Sequence, residues 1–195
     1  MLGHLAMSLR PHDPLMPPAD PKAVPQRRVQ PRIDLIYALQ PIAEGLLAEC
    51  KVQRVNIRVA TTGDPHYPVL GEALAEGAFS LSGGMSQLGF QGEDIHRQPT
   101  VTLMRQTGQV IVQRDTSIDP PLVPHAQPFG GHVCQMLTPL HHDGTFVGFM
   151  AVHGFDKPRE WSSEDIAALD RGRATAEAVL DEALWFDVPW PFEVG

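Results

Sequence analysis

The stretch that decides the fold contains GHVCQMLTPL (131–140), HHDG (141–144), TFVGFMAVHG (145–154) and, after a short loop, WSSEDIAAL (161–169). Two apolar runs flank Asp143-Gly144, and an Asp-Gly pair in that position is a strong hairpin signal because glycine accepts the positive φ of a tight turn. Ser162 or Ser163 then caps a helix, with Asp165 at the capping-box position after Ser162. The stretch therefore predicts two paired strands followed by an amphipathic helix.

The residues upstream of this unit predict further helices and strands. An apolar stripe at three- and four-residue spacing indicates a helix over residues 35–50, and Pro41 either kinks that helix or marks a first turn near Ala38. Residues 52–60 alternate between apolar and less apolar side chains, as a half-buried strand does. We also expect loops with one short helix near 71–76 within 66–98, a short helix over 100–106 and a short buried strand at 110–112.

The order of these elements resembles the GAF family over about residues 33–184. The resemblance is carried by TPL (138–140), by FVGFMAV (146–152) and by REWSSEDI (159–166), with GQVIVQRD (108–115) in agreement. It implies an α+β fold, a GAF-like central antiparallel β-sheet with the N- and C-terminal helices on one face and a ligand pocket on the other. The prolines of residues 1–31 predict a Pro-rich extended arm before the GAF-like domain (32–185). The aromatic residues of the C-terminal tail (186–195) predict that it packs on the body or on a dimer partner.

Composition and charge limit the class of partner. The net charge is -8, and the small basic clusters form no stripe of the kind that phosphate contacts require, so we expect no direct nucleic-acid binding. No apolar run approaches the ~18 residues of a membrane span. The first ten residues show no secretory signal, and two cysteines make no disulfide framework. We therefore expect a cytoplasmic protein with reduced thiols that does not bind membranes.

The family resemblance implies a function class but no particular ligand. GAF domains bind ligands of many kinds, and some only dimerise, because fold does not determine function. We expect a small-molecule-binding sensor or regulatory domain that signals through a homodimer and a separate partner protein. The effector would be a small organic molecule of anionic or aromatic character, and its binding would order the 66–98 region.

The candidate ligand-binding residues are Arg58, Asp115, His125, His132, Cys134, Met136 and His153. His132 and Cys134 are two residues apart on a strand and would share one face, while His153 ends the partner strand. A guanidinium such as that of Arg58 can pair with a ligand carboxylate through its planar fork. Asp115 and His125 could approach from a strand end and a loop, and Met136 could line an adaptable apolar pocket.

Three interpretations of the histidine and cysteine set stay open. His132, Cys134 and His153 offer imidazole and thiolate ligands that suit Fe or Zn, and His132-Val133-Cys134 resembles the H-x-C of nitric-oxide-sensing GAF domains. A GAF-fold enzyme or redox protein could instead use Cys134 as nucleophile with His132 as base. Alternatively, the histidines are hydrogen-bonded or solvent-facing beside a buried thiol. The Cys-His pair with which phytochromes bind bilin is not present.

Overall fold

The computed structural model describes residues 24–60, 67–84, 95, 98–120 and 129–182. Its elements are α1 (Val24–Cys50), β1 (Arg54–Val59), β2 (Val69–Leu74), α2 (Leu81–Gly84), α3 (Pro99–Thr107), β3 (Ile111–Gln113), β4 (Cys134–His142), β5 (Thr145–Gly154) and α4 (Ser163–Glu182). The strands form one sheet in the order β2-β1-β5-β4-β3. Every neighbouring pair is antiparallel.

The β4–β5 hairpin forms where the sequence predicts it. Asp143 and Gly144 have φ values of 48° and 74°, which is the pair of positive angles that a two-residue type I′ turn needs. A register shift lies between Leu140 and His141, so a bulge absorbs one residue of β4 just before the turn. The other predicted strands and the helix after residue 99 are also present, and Gly108 ends α3 in the left-handed conformation.

Helix α1 is longer than the sequence predicts. It begins at Val24, within the segment expected to be an extended arm, and it continues without interruption through Pro41. Pro41 is exposed, and its missing amide hydrogen costs one helical hydrogen bond. The buried stripe on both sides of it holds the helix together and consists of Leu35, Leu39, Ala43, Leu46 and Cys50. Residues 1–23 and the predicted tail at 186–195 lie outside the described residues.

The prediction of a short helix near residues 71–76 is wrong, because Val69–Leu74 is the edge strand β2. A Cβ on Gly71 would lie 3.1 Å from the Leu39 carbonyl oxygen, so glycine lets β2 pass close to α1. The Gln40 side chain then occupies the free edge of the strand. Its Nε2 donates to Glu72 O at 2.9 Å, and Glu72 N donates to its Oε1 at 3.1 Å. A helix side chain thus replaces the neighbouring strand that an edge lacks.

The two faces of the sheet carry separate cores. Helices α1 and α4 pack on one face, where the main cluster includes Leu39, Leu46, Ile57, Met136, Met150, Leu169 and Leu180. The opposite face carries a smaller cluster that includes Val101, Met104, Ile111, Leu137 and Phe149. This arrangement confirms the predicted α+β fold. Within the described ranges, no helix is both long enough and apolar enough to cross a bilayer.

The start of α4 is held by the predicted capping box. Asp165 N donates to Ser162 Oγ at 3.1 Å, and Ser162 N donates to Asp165 Oδ2 at 2.9 Å. Arg159 adds a bidentate pair to the same carboxylate, with Nη2 at 2.7 and 2.8 Å from its two oxygens. Its Nη1 donates to Cys50 O at 2.7 Å, so Arg159 connects the end of α1 with the beginning of α4.

Candidate functional site

The face of the sheet opposite α1 and α4 carries buried polar side chains in rows. Strand pairing places Arg54 beside His153, His153 beside Gln135, and Gln135 beside Gln113. All four are buried, and we call them the polar row. The next row begins with Asn56 and continues with Ala151, Leu137 and Ile111. Arg58 and Phe149 begin a third row. Because strand side chains alternate between faces, these residues all point away from the helices.

These rows form the floor of a cavity. Its free volume is about 40 Å³, which is room for about three waters. The described residues of the floor are Asn56, Arg58, Gln135, Leu137, Phe149, Ala151 and His153. The described residues of the opposite wall are Leu81, Ile95, Gln98, Thr100, Val101, Phe129 and His132. One end of the cavity is therefore polar, while its middle is apolar.

Arg54 fixes the protonation pattern of His153. Its Nε donates to His153 Nδ1 at 3.3 Å, and Asn56 Nδ2 lies 3.5 Å from the same nitrogen. A guanidinium has donors only, so Nδ1 must be the acceptor, and the proton of the neutral ring is on Nε2. Burial lowers the pKa of Arg54 to about 9, which leaves it a cation at neutral pH.

Arg54 also anchors the chain segments that close this end of the cavity. Its Nη1 donates to Phe79 O at 3.2 Å and to Phe129 O at 2.8 Å, and its guanidinium lies over the Phe155 ring at 4.9 Å. These segments come close together, since a Cβ on Gly130 would lie 3.1 Å from Phe79 Cβ. One buried cation thus ties the segment after β2 and the segment before β4 to the sheet.

His132 packs against the polar row, with its ring tilted by 56° from that of His153. Its ring centroid is 4.5 Å from that of His153, and only 4% of the residue is exposed. Neither ring nitrogen makes a hydrogen bond to a protein group. Burial, and then the charge of Arg54, lower the pKa of His132 to about 4, while an interaction with the Gln135 side chain that does not meet hydrogen-bond geometry raises it in part. Burial, and then the charges of Arg54, His132 and Arg58, lower the pKa of His153 well below its usual value.

Arg58 supplies the charged side chain of the cavity floor. It is 4% exposed, and its Nη1 donates to Tyr67 O at 3.0 Å. Burial lowers its pKa to about 10, against the opposing effect of Glu72, so it too is a cation at neutral pH. Among the described residues that line the cavity, none is acidic. The described part of the lining therefore carries the positive charge of Arg58.

The structure separates the residues that the sequence places in one site. Arg58, His132 and His153 line the cavity. Met136 belongs to the helix-side core, and Cys134 lines a groove on the helix side together with Lys51 and Val52. Asp115 accepts hydrogen bonds from Ser117 N and Oγ at the surface. His125 lies outside the described residues.

His132 and Cys134 do not share a face, contrary to the expectation from their spacing. Gly130 and Gly131 have φ values of 86° and 71°, and regular β structure begins only at Cys134. Two-residue alternation therefore does not extend back to His132. Gln135, rather than Cys134, takes the position on the cavity face next to His132.

Sequence reasoning missed Arg54, Asn56 and Gln135 as site residues. The alternation that put Arg58 on the less apolar face of β1 puts residues 54 and 56 on that face as well. The pattern did not identify a cavity, because a half-buried strand presents the same row of polar residues to solvent. Gln135 gave no comparable signal.

The structure is a small α+β domain with a cavity on one face of its sheet, and comparison with known proteins identifies its family. The sequence model of the GAF domain family matches residues 34–178. The chain therefore belongs to the GAF domain family. A comparison with curated proteins gave no significant match.

Several solved structures share the fold. The blue-light absorbing form of the PixJ GAF domain of Thermosynechococcus elongatus is 18% identical, with 81% of this chain and 89% of that chain covered and a TM-score of 0.60. The phycocyanobilin-bound GAF domain of a cyanobacterial phytochrome is 17% identical, covering 80% and 92% with a TM-score of 0.60. Residues 122 to 287 of a methyl-accepting chemotaxis protein are 21% identical, covering 79% and 93% with a TM-score of 0.56. Identities this low show the fold alone.

The predicted Fe or Zn site on His132, Cys134 and His153 is wrong. Cys134 lies on the helix side of the sheet, whereas the two histidines line the cavity on the other side. The described part of the chain contains no group of three or more His, Cys, Asp or Glu side chains that could hold a metal ion. The ligand named for the phytochrome structure is a bilin, not a metal.

Proposed function

We propose that this GAF domain is a sensor that binds a small organic anion in the cavity and signals, as a homodimer, to a separate partner protein. The observation that carries the proposal is the buried Arg58 guanidinium in the floor of the cavity, which is a cation at neutral pH. A guanidinium binds a carboxylate through two parallel N–H donors. The attraction is stronger in a cavity than in water because the local dielectric constant is lower.

The apolar middle of the cavity supports an organic rather than an inorganic ligand. Leu137, Phe149 and Ala151 of the floor face Ile95 and Val101 of the wall. These side chains would contact the hydrocarbon part of a ligand whose anionic group meets Arg58. Because the free volume is only about 40 Å³, such a ligand would have to move the wall outward. That movement is the conformational change we propose as the signal.

A chain of contacts leads from the cavity wall to α1. The Glu72 carboxylate accepts hydrogen bonds from Ser80 Oγ at 2.6 Å, from Leu81 N at 2.7 Å and from Ser82 Oγ at 2.7 Å. The backbone of Glu72 is in turn bonded by Gln40 of α1. A displacement of Leu81, which lines the cavity, would therefore pull on β2 and on α1. We propose that α1, where Tyr37 is 75% exposed, presents this change to the second subunit.

The geometry gives less support to an enzyme that uses Cys134 as nucleophile and His132 as base. The two side chains lie on opposite sides of the sheet. Cys134 is 1% exposed, and burial raises the pKa of its thiol, which disfavours the reactive thiolate.

Native mass spectrometry of freshly purified protein, compared with the spectrum after denaturation, tests the proposal. We expect a dimer that carries an excess mass, lost on denaturation and equal to an organic acid. Arg58→Gln should abolish the excess, because the amide keeps the polar contact but removes the charge. Arg114→Gln, at an exposed arginine, should retain it. A neutral compound bound equally by both variants would contradict the proposal, and a monomer would contradict the homodimer.

A further inference from the structure

Two cavity-lining side chains are buried with polar atoms that no protein group satisfies. They are Asn56, through Oδ1, and His132, through both ring nitrogens. Asn56 is 1% exposed and His132 is 4% exposed. A buried acceptor that is left unpaired destabilises the folded state. Folded proteins rarely concentrate such atoms in one cavity unless something else bonds to them.

The orientation of the Asn56 amide follows from its neighbours. His153 Nδ1 is an acceptor because Arg54 donates to it, and the Asn56 nitrogen lies on the same side at 3.5 Å. Turning the amide over would bring Oδ1 against the lone pair of Nδ1, which is repulsive. Asn56 Oδ1 is therefore a fixed acceptor in the cavity.

His132 can supply a hydrogen-bond donor beside this acceptor. A neutral imidazole has one N–H donor and one acceptor nitrogen. His132 stays neutral near pH 7 because it is buried beside cationic Arg54. It lies against the His153 ring on which the Asn56 amide also converges. The polar end of the cavity thus offers an acceptor and a neutral donor close to one ring.

We infer that the ligand is a hydroxylated organic acid, whose hydroxyl group donates to Asn56 Oδ1 and accepts from His132 while its carboxylate meets Arg58. A hydroxyl group can donate and accept at once, as this pair requires. An ammonium group has donors only and would face two buried guanidinium groups. Asn56 and Arg58 are two residues apart on β1, so their Cα atoms are about 7 Å apart, and we expect the hydroxyl and carboxylate groups at a similar spacing. The inference rests on the proposed function for its anionic end.

Three probes of similar size separate the two ends of the ligand. 4-Hydroxybenzoate carries both groups at about the inferred spacing. 4-Methylbenzoate lacks the hydroxyl, and 4-methylphenol lacks the carboxylate. Isothermal titration calorimetry on the full chain should show 4-hydroxybenzoate binding at least about tenfold more tightly than either of the others, because each of them lacks one of the two polar contacts.

Variants then locate the hydroxyl contact. Asn56→Leu keeps the side-chain size and removes the acceptor, so the preference for 4-hydroxybenzoate over 4-methylbenzoate should fall below about threefold. The affinity for 4-methylbenzoate should stay within about twofold of wild type. Gln109→Leu, an exposed polar-to-leucine change, should keep the full preference. His132→Phe provides a second test of the same contact if Asn56→Leu does not fold.

Each pattern of binding has one meaning. Equal binding of the two benzoates by wild type overturns the hydroxyl inference and leaves the anion site standing. Equal binding of 4-hydroxybenzoate and 4-methylphenol overturns the anion site and leaves the hydroxyl contact standing. Binding of none of the three up to about 10 mM, a free energy weaker than about -3 kcal/mol, overturns both.

Discussion

His132 and His153 show what burial beside arginines does to a single side chain. Both rings would take a proton near pH 6.5 in an unfolded chain. In the fold, burial and the charges of Arg54 and Arg58 lower their pKa values. The carboxylate of Glu72 acts on both guanidinium groups, and it also accepts hydrogen bonds from Ser80, Leu81 and Ser82. The fold therefore holds the imidazoles neutral.

This neutrality predicts a loss of stability on mild acidification. As pH falls below about 6.5, the unfolded chain takes up protons at His132 that the folded chain refuses until about pH 4. The free energy of unfolding should fall by up to about 1.4 kcal/mol per pH unit for this one ring. Between pH 6.5 and pH 4.5, the free energy of unfolding of His132→Gln should therefore fall by about 2–3 kcal/mol less than that of wild type. Urea unfolding at four pH values measures the difference, and parallel curves would contradict the prediction.

At the scale of elements, β1 and β5 can pair closely because Gly148 of β5 has no side chain. A Cβ on Gly148 would lie 2.0 Å from Arg58 O and 2.9 Å from Val59 Cα. Both are backbone atoms of the neighbouring strand, so they cannot move aside without breaking the pairing. Gly45 of α1 is the opposite case, because a Cβ there meets nothing within 4 Å.

These two glycines predict opposite effects of the same substitution. Gly148→Ala should destabilise the protein by about 3 kcal/mol or more, since it forces β1 and β5 apart. Gly45→Ala should stabilise it by about 0.5–1 kcal/mol, because alanine loses less backbone entropy in a helix. Chemical denaturation of both variants measures the difference. If Gly148→Ala is as stable as wild type, the prediction is contradicted, because the strands can then move apart at this point without cost.

The elements that the sequence predicted correctly carry their signals locally. The Asp143-Gly144 turn and the Ser162–Asp165 capping box each depend on a few neighbouring residues. Strand β2 was missed because the contacts that stabilise it are tertiary. Gly71 lets the strand lie close to α1, and the Gln40 side chain forms hydrogen bonds to its edge.

The candidate site was predicted only in part for the same reason. Arg58, His132 and His153 were found from their residue types and positions. The face of Cys134 was missed because residues 130–133 leave regular strand geometry, a feature that two-residue spacing does not report. The roles of Arg54 and Asn56 depend on which residue of β5 each one pairs with, and the sequence alone does not give the register of that pairing.

At the scale of the whole molecule, stability and responsiveness lie in different places. Strands β1 and β5 have partners on both sides, whereas β2 and β3 are edges and β3 has three residues. The wall of the cavity consists of short elements, among them α2 with four residues and α3 with nine. Sites that must move on binding are expected in such regions of low local stability.

Hydrogen exchange followed by mass spectrometry should map this division. Amides of β1 and β5 should exchange most slowly, and those of α3 and β3 faster. If 4-hydroxybenzoate binds as inferred, it should slow exchange at residues 98–107, around Glu72 and around Gln40, following the contacts from the wall to α1. The C-terminal half of α4 serves as the internal control and should not change. Protection that stops at the cavity wall would contradict transmission to α1.

The position of Cys50 gives the protein a built-in reporter of its own opening. Cys50 is fully buried in the core between the helices and the sheet, and burial raises the pKa of its thiol to about 11. Cys134, by contrast, lines the groove beside Lys51 and Val52. A thiol reagent in solution would therefore react with Cys50 only in molecules whose helical layer has separated from the sheet. The labelling rate of Cys50 would measure how often this opening occurs, without any mutation.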